Sequence, residues 1–69
     1  MSKITIFLNG SARQIDADVT IPELIQSHRL PENLVLVEHN GSALHREQWN
    51  QVPVEHGDRI ELMKMVAGG

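Results

Sequence analysis

The sequence predicts an α+β fold, a β-sheet covered on one face by a single helix. Three observations carry that expectation. Two strand-like runs each end in Asn-Gly, at Asn9-Gly10 and Asn40-Gly41, and this dipeptide suits a type I′ hairpin turn because both central residues need positive φ. One helix start, Thr20-Ile21-Pro22-Glu23, lies between the two hairpins. A last strand-like run, Arg59 to Val66, closes the pattern. Strands flanking one central helix bury their apolar faces by laying the helix on one side of the sheet.

Each element has its own signal. Lys3 to Leu8 alternates, with Ile4, Ile6 and Leu8 on one face and Lys3, Thr5 and Phe7 on the other, the period of a half-buried strand. After the Asn9-Gly10 turn the chain returns over Ala12 to Ala17, with Ile15 inward. Thr20 is placed to cap the helix and Glu23, three residues on, completes a capping box. Pro22 falls in the first turn, where a missing N–H costs nothing. Ile21 is biased away from helical angles by the proline after it, so the start is free to slip by a residue. Ile21, Leu24, Ile25 and His28 share a face at helical spacing, and Pro31 is expected to end the helix. Such a short helix needs a sheet to pack on. Leu34 to His39 is the most apolar strand, returning after Asn40-Gly41 through Ala43 and Leu44. Arg46 to Trp49 is expected to form one helical or 3₁₀ turn with Trp49 as a lid on the core. His56-Gly57-Asp58 reads as the turn before the final strand, whose Ile60 and Leu62 face inward.

Residues 1–69 are expected to form one small domain. A chain of 69 residues buries only about 60% of the surface its unfolded form exposes, which leaves little room for a catalytic cleft beside a core. Without cysteine there is no disulfide framework, thiolate nucleophile or thiolate metal site. Met1-Ser2-Lys3 leads straight into a strand, with no leader pattern and no apolar run long enough for a bilayer, so the expectation is a cytoplasmic protein that does not engage a membrane. The net charge of −3, with six scattered basic residues, argues against nucleic acid, which requires clustered Lys and Arg.

The last four residues, Val66-Ala67-Gly68-Gly69, carry the clearest chemical signal. Two glycines make a tail without side chains, slim enough to enter a channel closed to other residues. Its α-carboxylate is ionised at neutral pH and suits activation as an acyl-adenylate by another enzyme.

Four local features now combine: Asn40-Gly41 after an apolar strand, Arg46-Glu47-Gln48-Trp49, Gly57-Asp58-Arg59-Ile60-Glu61 and the Val66 to Gly69 terminus. Together, over essentially the whole chain, they resemble the ThiS-type sulfur carriers of thiamine biosynthesis, which have the ubiquitin-like β-grasp fold, a mixed sheet packed on one helix. His39 departs from the pattern, standing where the family usually has an apolar residue. The resemblance implies that the Gly69 carboxylate is adenylated by a ThiF-like activating enzyme using ATP and magnesium, then converted to a thiocarboxylate, with Gly68 supplying the slim approach. It implies a thiazole synthase (ThiG-like) as the second partner, no bound cofactor, and a protein that is a co-substrate and not a catalyst. A monomer that docks transiently is the simplest expectation.

Independent chemistry is sparse. His28, His39, His45 and His56 fit no zinc spacing and read as surface or strand-edge residues, so no metal is expected. Ser11 and Ser42 read as turn residues. Glu38, Glu47, Glu55, Asp58 and Glu61 form no evident carboxylate pair in the sequence and read as solvated. Partner binding is better supported. With Ile4, Ile6, Ile60 and Leu62 under the helix, Phe7, Leu36, Met63 and Met65 point to the open face of the sheet, an interaction patch in which methionine adapts to more than one surface. Arg59 and Glu61 flank it and are placed to orient the tail. Competing readings are a MoaD-like carrier subunit of molybdopterin synthase, a TGS-like β-grasp docking module, and covalent protein tagging. The Arg46 to Trp49 motif and the short length favour the ThiS type. Deleting Gly68 and Gly69 separates any of the tail-dependent readings from the docking module.

Overall fold

A computed structural model describes residues 2–66. The strands are β1 (Lys3–Leu8), β2 (Ser11–Asp16), β3 (Val35–His39), β4 (Ser42–Leu44) and β5 (Arg59–Lys64), with one helix, α1 (Ile21–Ser27), and 3₁₀ turns at Glu32–Leu34 and Arg46–Gln48. The sheet order is β2-β1-β5-β3-β4. β1 and β5 run parallel, and the other three pairings are antiparallel. The sheet is therefore mixed, and the last strand in sequence is central in space.

Both hairpins turn as the Asn-Gly pairs demand. Asn9 and Gly10 have φ of 49° and 83°, and Asn40 and Gly41 have 52° and 86°, the left-handed pairs of a type I′ turn. This fixes Leu8 opposite Ser11 and His39 opposite Ser42, and so decides which residues face the helix.

The helix begins at Ile21 without slipping. Thr20 Oγ1 accepts from Glu23 N–H at 3.3 Å while Glu23 Oε1 accepts from Thr20 N–H at 3.0 Å, the reciprocal capping box. The end differs from expectation in mechanism. The helix stops at Ser27, before Pro31 is reached, because Arg29 turns left-handed with φ of 56°. Arg29 N–H then donates to Gln26 O and Leu30 N–H to Ile25 O, the two bonds of a Schellman cap. His28 lies in this cap, exposed and off the buried face. Pro31 instead precedes the 3₁₀ turn that absorbs Leu34, so β3 starts at Val35.

The core lies between α1 and one face of the sheet. Ile6, Ile21, Ile25 and Ile60 are fully buried, joined by Leu8, Leu24, Val35, Val37, Val54, Leu62 and Trp49. Ile4 and Ile15 pack on its margin. Trp49 is the lid the sequence predicts, and its indole N–H donates to Leu44 O at 3.2 Å, meeting the requirement that a buried indole find an acceptor.

Candidate functional site

The site is built on β5, because this strand leads toward Gly68 and Gly69 in the sequence. It is held from both sides. β3 pairs with it from Val35 opposite Lys64 to His39 opposite Ile60, and Met65 N–H adds a bond to Leu34 O at 2.6 Å. β1 meets it only at Phe7–Leu8. Gly68 and Gly69, the predicted reacting end, lie outside the described residues.

Strand alternation puts Arg59, Glu61 and Met63 of β5 on the face away from the helix, with Leu36 opposite Met63 and Phe7 opposite Arg59. Phe7, Leu36, Met63 and Met65 are each between 40% and 49% exposed, and Leu36, Met63 and Met65 adjoin one another on this face. The predicted residues divide into two groups. Phe7, Arg59 and Glu61 border a depression of about 290 Å³, together with Glu38 and the turn residues Gly10 and Gly41. Leu36, Met63 and Met65 border a more apolar groove of about 400 Å³ that reaches Arg46 and the edge of Trp49.

Two readings of acidic residues need correction. Glu38 stands directly opposite Glu61 in the β3–β5 register, so the open face does carry a carboxylate pair. A side-chain hydrogen bond to Glu61, then charge repulsion from it, raise the Glu38 pKa above the ordinary value. The sequence hides this pair because 23 residues separate its members, and only the register reveals it. Asp58, expected to be solvated, is 8% exposed. Its carboxylate accepts from Glu55 N–H at 2.9 Å, from His39 Nε2 at 2.8 Å and from the Asn40 amide at 3.2 Å. Burial pushes the Asp58 pKa up, but the bonds from Glu55, His39 and Asn40, with attraction to His39, outweigh burial and lower it. His39 is accordingly no surface histidine: it is half-buried and serves as the donor that satisfies Asp58. His56 is also engaged, its Nδ1 accepting from Thr5 N–H at 3.0 Å.

Among the described residues no group of three His, Asp or Glu side chains converges as a metal site, and no helix is long and apolar enough to cross a membrane. The open face presents exposed apolar side chains beside the strand that leads toward Gly68 and Gly69.

Comparison with known proteins places this geometry. The ThiS family model matches residues 6–69. The chain belongs to the ThiS family. The Escherichia coli sulfur carrier protein ThiS is 34% identical over 64 residues, covering 93% of this chain and 97% of that one. The crystal structure of the thiamine biosynthesis protein ThiS from Geobacter metallireducens superposes with a TM-score of 0.78 at 29% identity, over 96% of this chain and all of that chain. A thiazole synthase from Paramagnetospirillum magneticum is 28% identical over 64 residues, covering 93% of this chain but only 20% of that polypeptide. The ubiquitin-like β-grasp fold is thereby established. As a ThiS-family protein the chain is a sulfur carrier of thiamine biosynthesis and not itself a catalyst.

Proposed function

We propose that this ThiS-family chain carries sulfur as a thiocarboxylate on Gly69. A carboxylate is a poor electrophile until one oxygen becomes a good leaving group. Attack of the Gly69 carboxylate on the α-phosphorus of ATP expels pyrophosphate and gives the acyl-adenylate. A sulfur nucleophile at the oxidation level of sulfide then attacks the acyl carbon and expels AMP, and loss of the sulfur's proton leaves the terminal thiocarboxylate. The ATP and magnesium belong to a ThiF-like activating enzyme, since Gly10, Gly41 and Gly57 of this chain are single turn residues and form no phosphate-binding loop. Gly68 gives the terminus its slim approach. The observation that carries the proposal is the match of the ThiS family model through Gly68 and Gly69, which follow the central strand β5 in the sequence.

The open face supplies the docking surface. Phe7, Leu36, Met63 and Met65 provide apolar contact, while Arg59 and Glu61 set orientation at its polar end. The same face serves the activating enzyme and a ThiG-like thiazole synthase in turn. The thiazole synthase polypeptide whose segment aligns with this chain supports the second partnership, because a shared polypeptide brings both activities together. The chain acts as a monomer in the cytoplasm.

Intact-mass measurement tests the chemistry. Incubation with the host's activating enzyme, ATP, magnesium and a sulfur source is expected to add the mass difference of sulfur for oxygen. Deletion of Gly69 is expected to abolish that gain. An unmodified mass, with the enzyme active on another carrier, would show that the chain acts as a docking module instead.

A further inference from the structure

The side chain of Asn9 makes contacts that its turn does not require. A type I′ turn is satisfied by the backbone of Asn, Asp or Gly at this position. Yet Asn9 Oδ1 accepts from Leu62 N–H at 2.8 Å, and Asn9 Nδ2 donates to Leu62 O at 3.2 Å. Its backbone N–H donates to Ile60 O at 2.9 Å. The amide therefore presents to Leu62 the donor and acceptor that a neighbouring strand would present. Reversing the amide would set its NH₂ against the Leu62 N–H, so the partners fix the assignment. Of the three residues suited to the turn, only asparagine offers both a donor and an acceptor in its side chain.

Position gives this contact its consequence. β1 ends at Leu8, so beyond Ile60 it no longer flanks β5. On the opposite side the β3 ladder continues to Lys64, followed by the Met65–Leu34 bond. Asn9 is thus the last hold on the β1 side of the central strand among the described residues. Gly69 lies seven residues beyond Leu62. Asn40 makes an analogous clasp at the other end of β5, where its Oδ1 accepts from Arg59 N–H at 2.8 Å. That clasp lies ten residues before Gly69 in the sequence.

We propose that Asn9 is a positioning residue for the reaction at the C terminus: its side-chain amide acts as a substitute strand that holds β5 at Leu62 on the β1 side, where the β3 ladder alone would otherwise hold the strand that leads to the tail. The proposal rests on the carrier reading above. Misplacement of a reacting group by about 1 Å can cost on the order of a hundredfold in rate, so a loosened exit strand has a kinetic cost even when the fold and the docking face are intact.

The test is steady-state adenylation with the carrier as varied substrate, the host's activating enzyme, ATP and magnesium, read as pyrophosphate release. Asn9→Gly keeps the positive φ and removes the amide. It is expected to lower kcat about tenfold or more while KM stays within about twofold, with faster hydrogen exchange at the Leu62 amide. Asn9→Asp, which keeps the acceptor and loses the donor, is expected to fall between Asn9→Gly and the wild type. Asn40→Gly, the structural comparator, is expected to lower stability while kcat stays at the wild-type value. A purely structural role for Asn9 would raise KM through the unfolded fraction and leave kcat alone, and that result overturns the proposal. Wild-type kcat in both Asn9 variants also overturns it. No pyrophosphate from the wild-type chain, with the enzyme active on another carrier, overturns the carrier reading and this role with it.

Discussion

Asp58 shows how one buried carboxylate organises the polar end of the sheet. It accepts three hydrogen bonds, from the turn that precedes β5, from the last residue of β3 and from the β3–β4 turn, so it ties three segments at the start of the central strand. Removing one partner from a buried hydrogen bond leaves the other unsatisfied, at about 1–3 kcal/mol. Asp58→Asn is nearly isosteric but turns an acceptor-only group into one that must set an NH₂ against existing donors. At pH 7 it is expected to destabilise the chain by about 1–3 kcal/mol in urea unfolding. The acid limb gives a second signature. Asp58 has a lowered pKa in the folded chain, so the folded form holds its proton less tightly than the unfolded form. Its contribution is present above the unfolded value, about 3.9, and is lost as pH falls through the lower folded value. Stability of the wild type should therefore drop below about pH 4 more steeply than that of Asp58→Asn. Matching urea midpoints at pH 7, or equal acid slopes, would remove Asp58 from this role. The sequence shows an aspartate after a turn glycine, which reads as solvent-facing. Only the approach of His39 and Asn40, 19 and 18 residues away in sequence, makes it a hub.

At the scale of elements, the parts readable from sequence are those whose signals are local. Thr20 and Glu23 form the capping box their spacing predicts, and both Asn-Gly turns adopt the left-handed pair, because these interactions span four residues or fewer. The end of α1 was less legible. Pro31 marks a limit on the helix, but the stop is made two residues earlier by Arg29 in a conformation that favours glycine. A Schellman cap normally announces itself by glycine at C′, and arginine there gives no such signal. An L-residue in the left-handed region costs about 1–2 kcal/mol. Arg29→Gly is accordingly expected to stabilise the chain by about 1 kcal/mol, offset in part by the greater freedom of glycine in the unfolded state. Thermal unfolding should show a rise of a few degrees, as about 1 kcal/mol gives in a domain this small. A lower midpoint would mean that the arginine side chain contributes contacts beyond the backbone conformation it adopts. The Glu38–Glu61 pair was illegible for the converse reason. Which residues face each other across β3 and β5 follows from strand register, and no dipeptide encodes that.

For the whole molecule, the sheet separates the face that folds the protein from the face on which we propose that partners dock. One face closes on α1 and holds the core, and the other presents Phe7, Leu36, Met63 and Met65. The alternation in β1, β3 and β5 made this division readable in the sequence, because a half-buried strand writes its two faces at alternate positions. The central place of β5 was not encoded locally: it follows from packing the last strand between the two hairpins. Adjacent residues of that strand therefore belong to different tasks, and exchanging them for alanine should separate stability from docking. Leu62 is 6% exposed, and truncating a buried leucine costs about 2–5 kcal/mol. A domain of this size has roughly 3–10 kcal/mol of total stability, so Leu62→Ala should unfold an appreciable fraction of the chain at 37 °C. Met63 is 41% exposed, and surface substitutions usually stay within about 0.5 kcal/mol. Met63→Ala should thus unfold with the wild-type midpoint while binding the activating enzyme at least about tenfold more weakly, since an apolar anchor at an interface is worth more than about 1 kcal/mol. Titration calorimetry with each variant, at a temperature where circular dichroism shows Met63→Ala fully folded, measures both quantities. Wild-type affinity in Met63→Ala, and again in Leu36→Ala opposite it, would move the docking surface off this face and onto the tail alone.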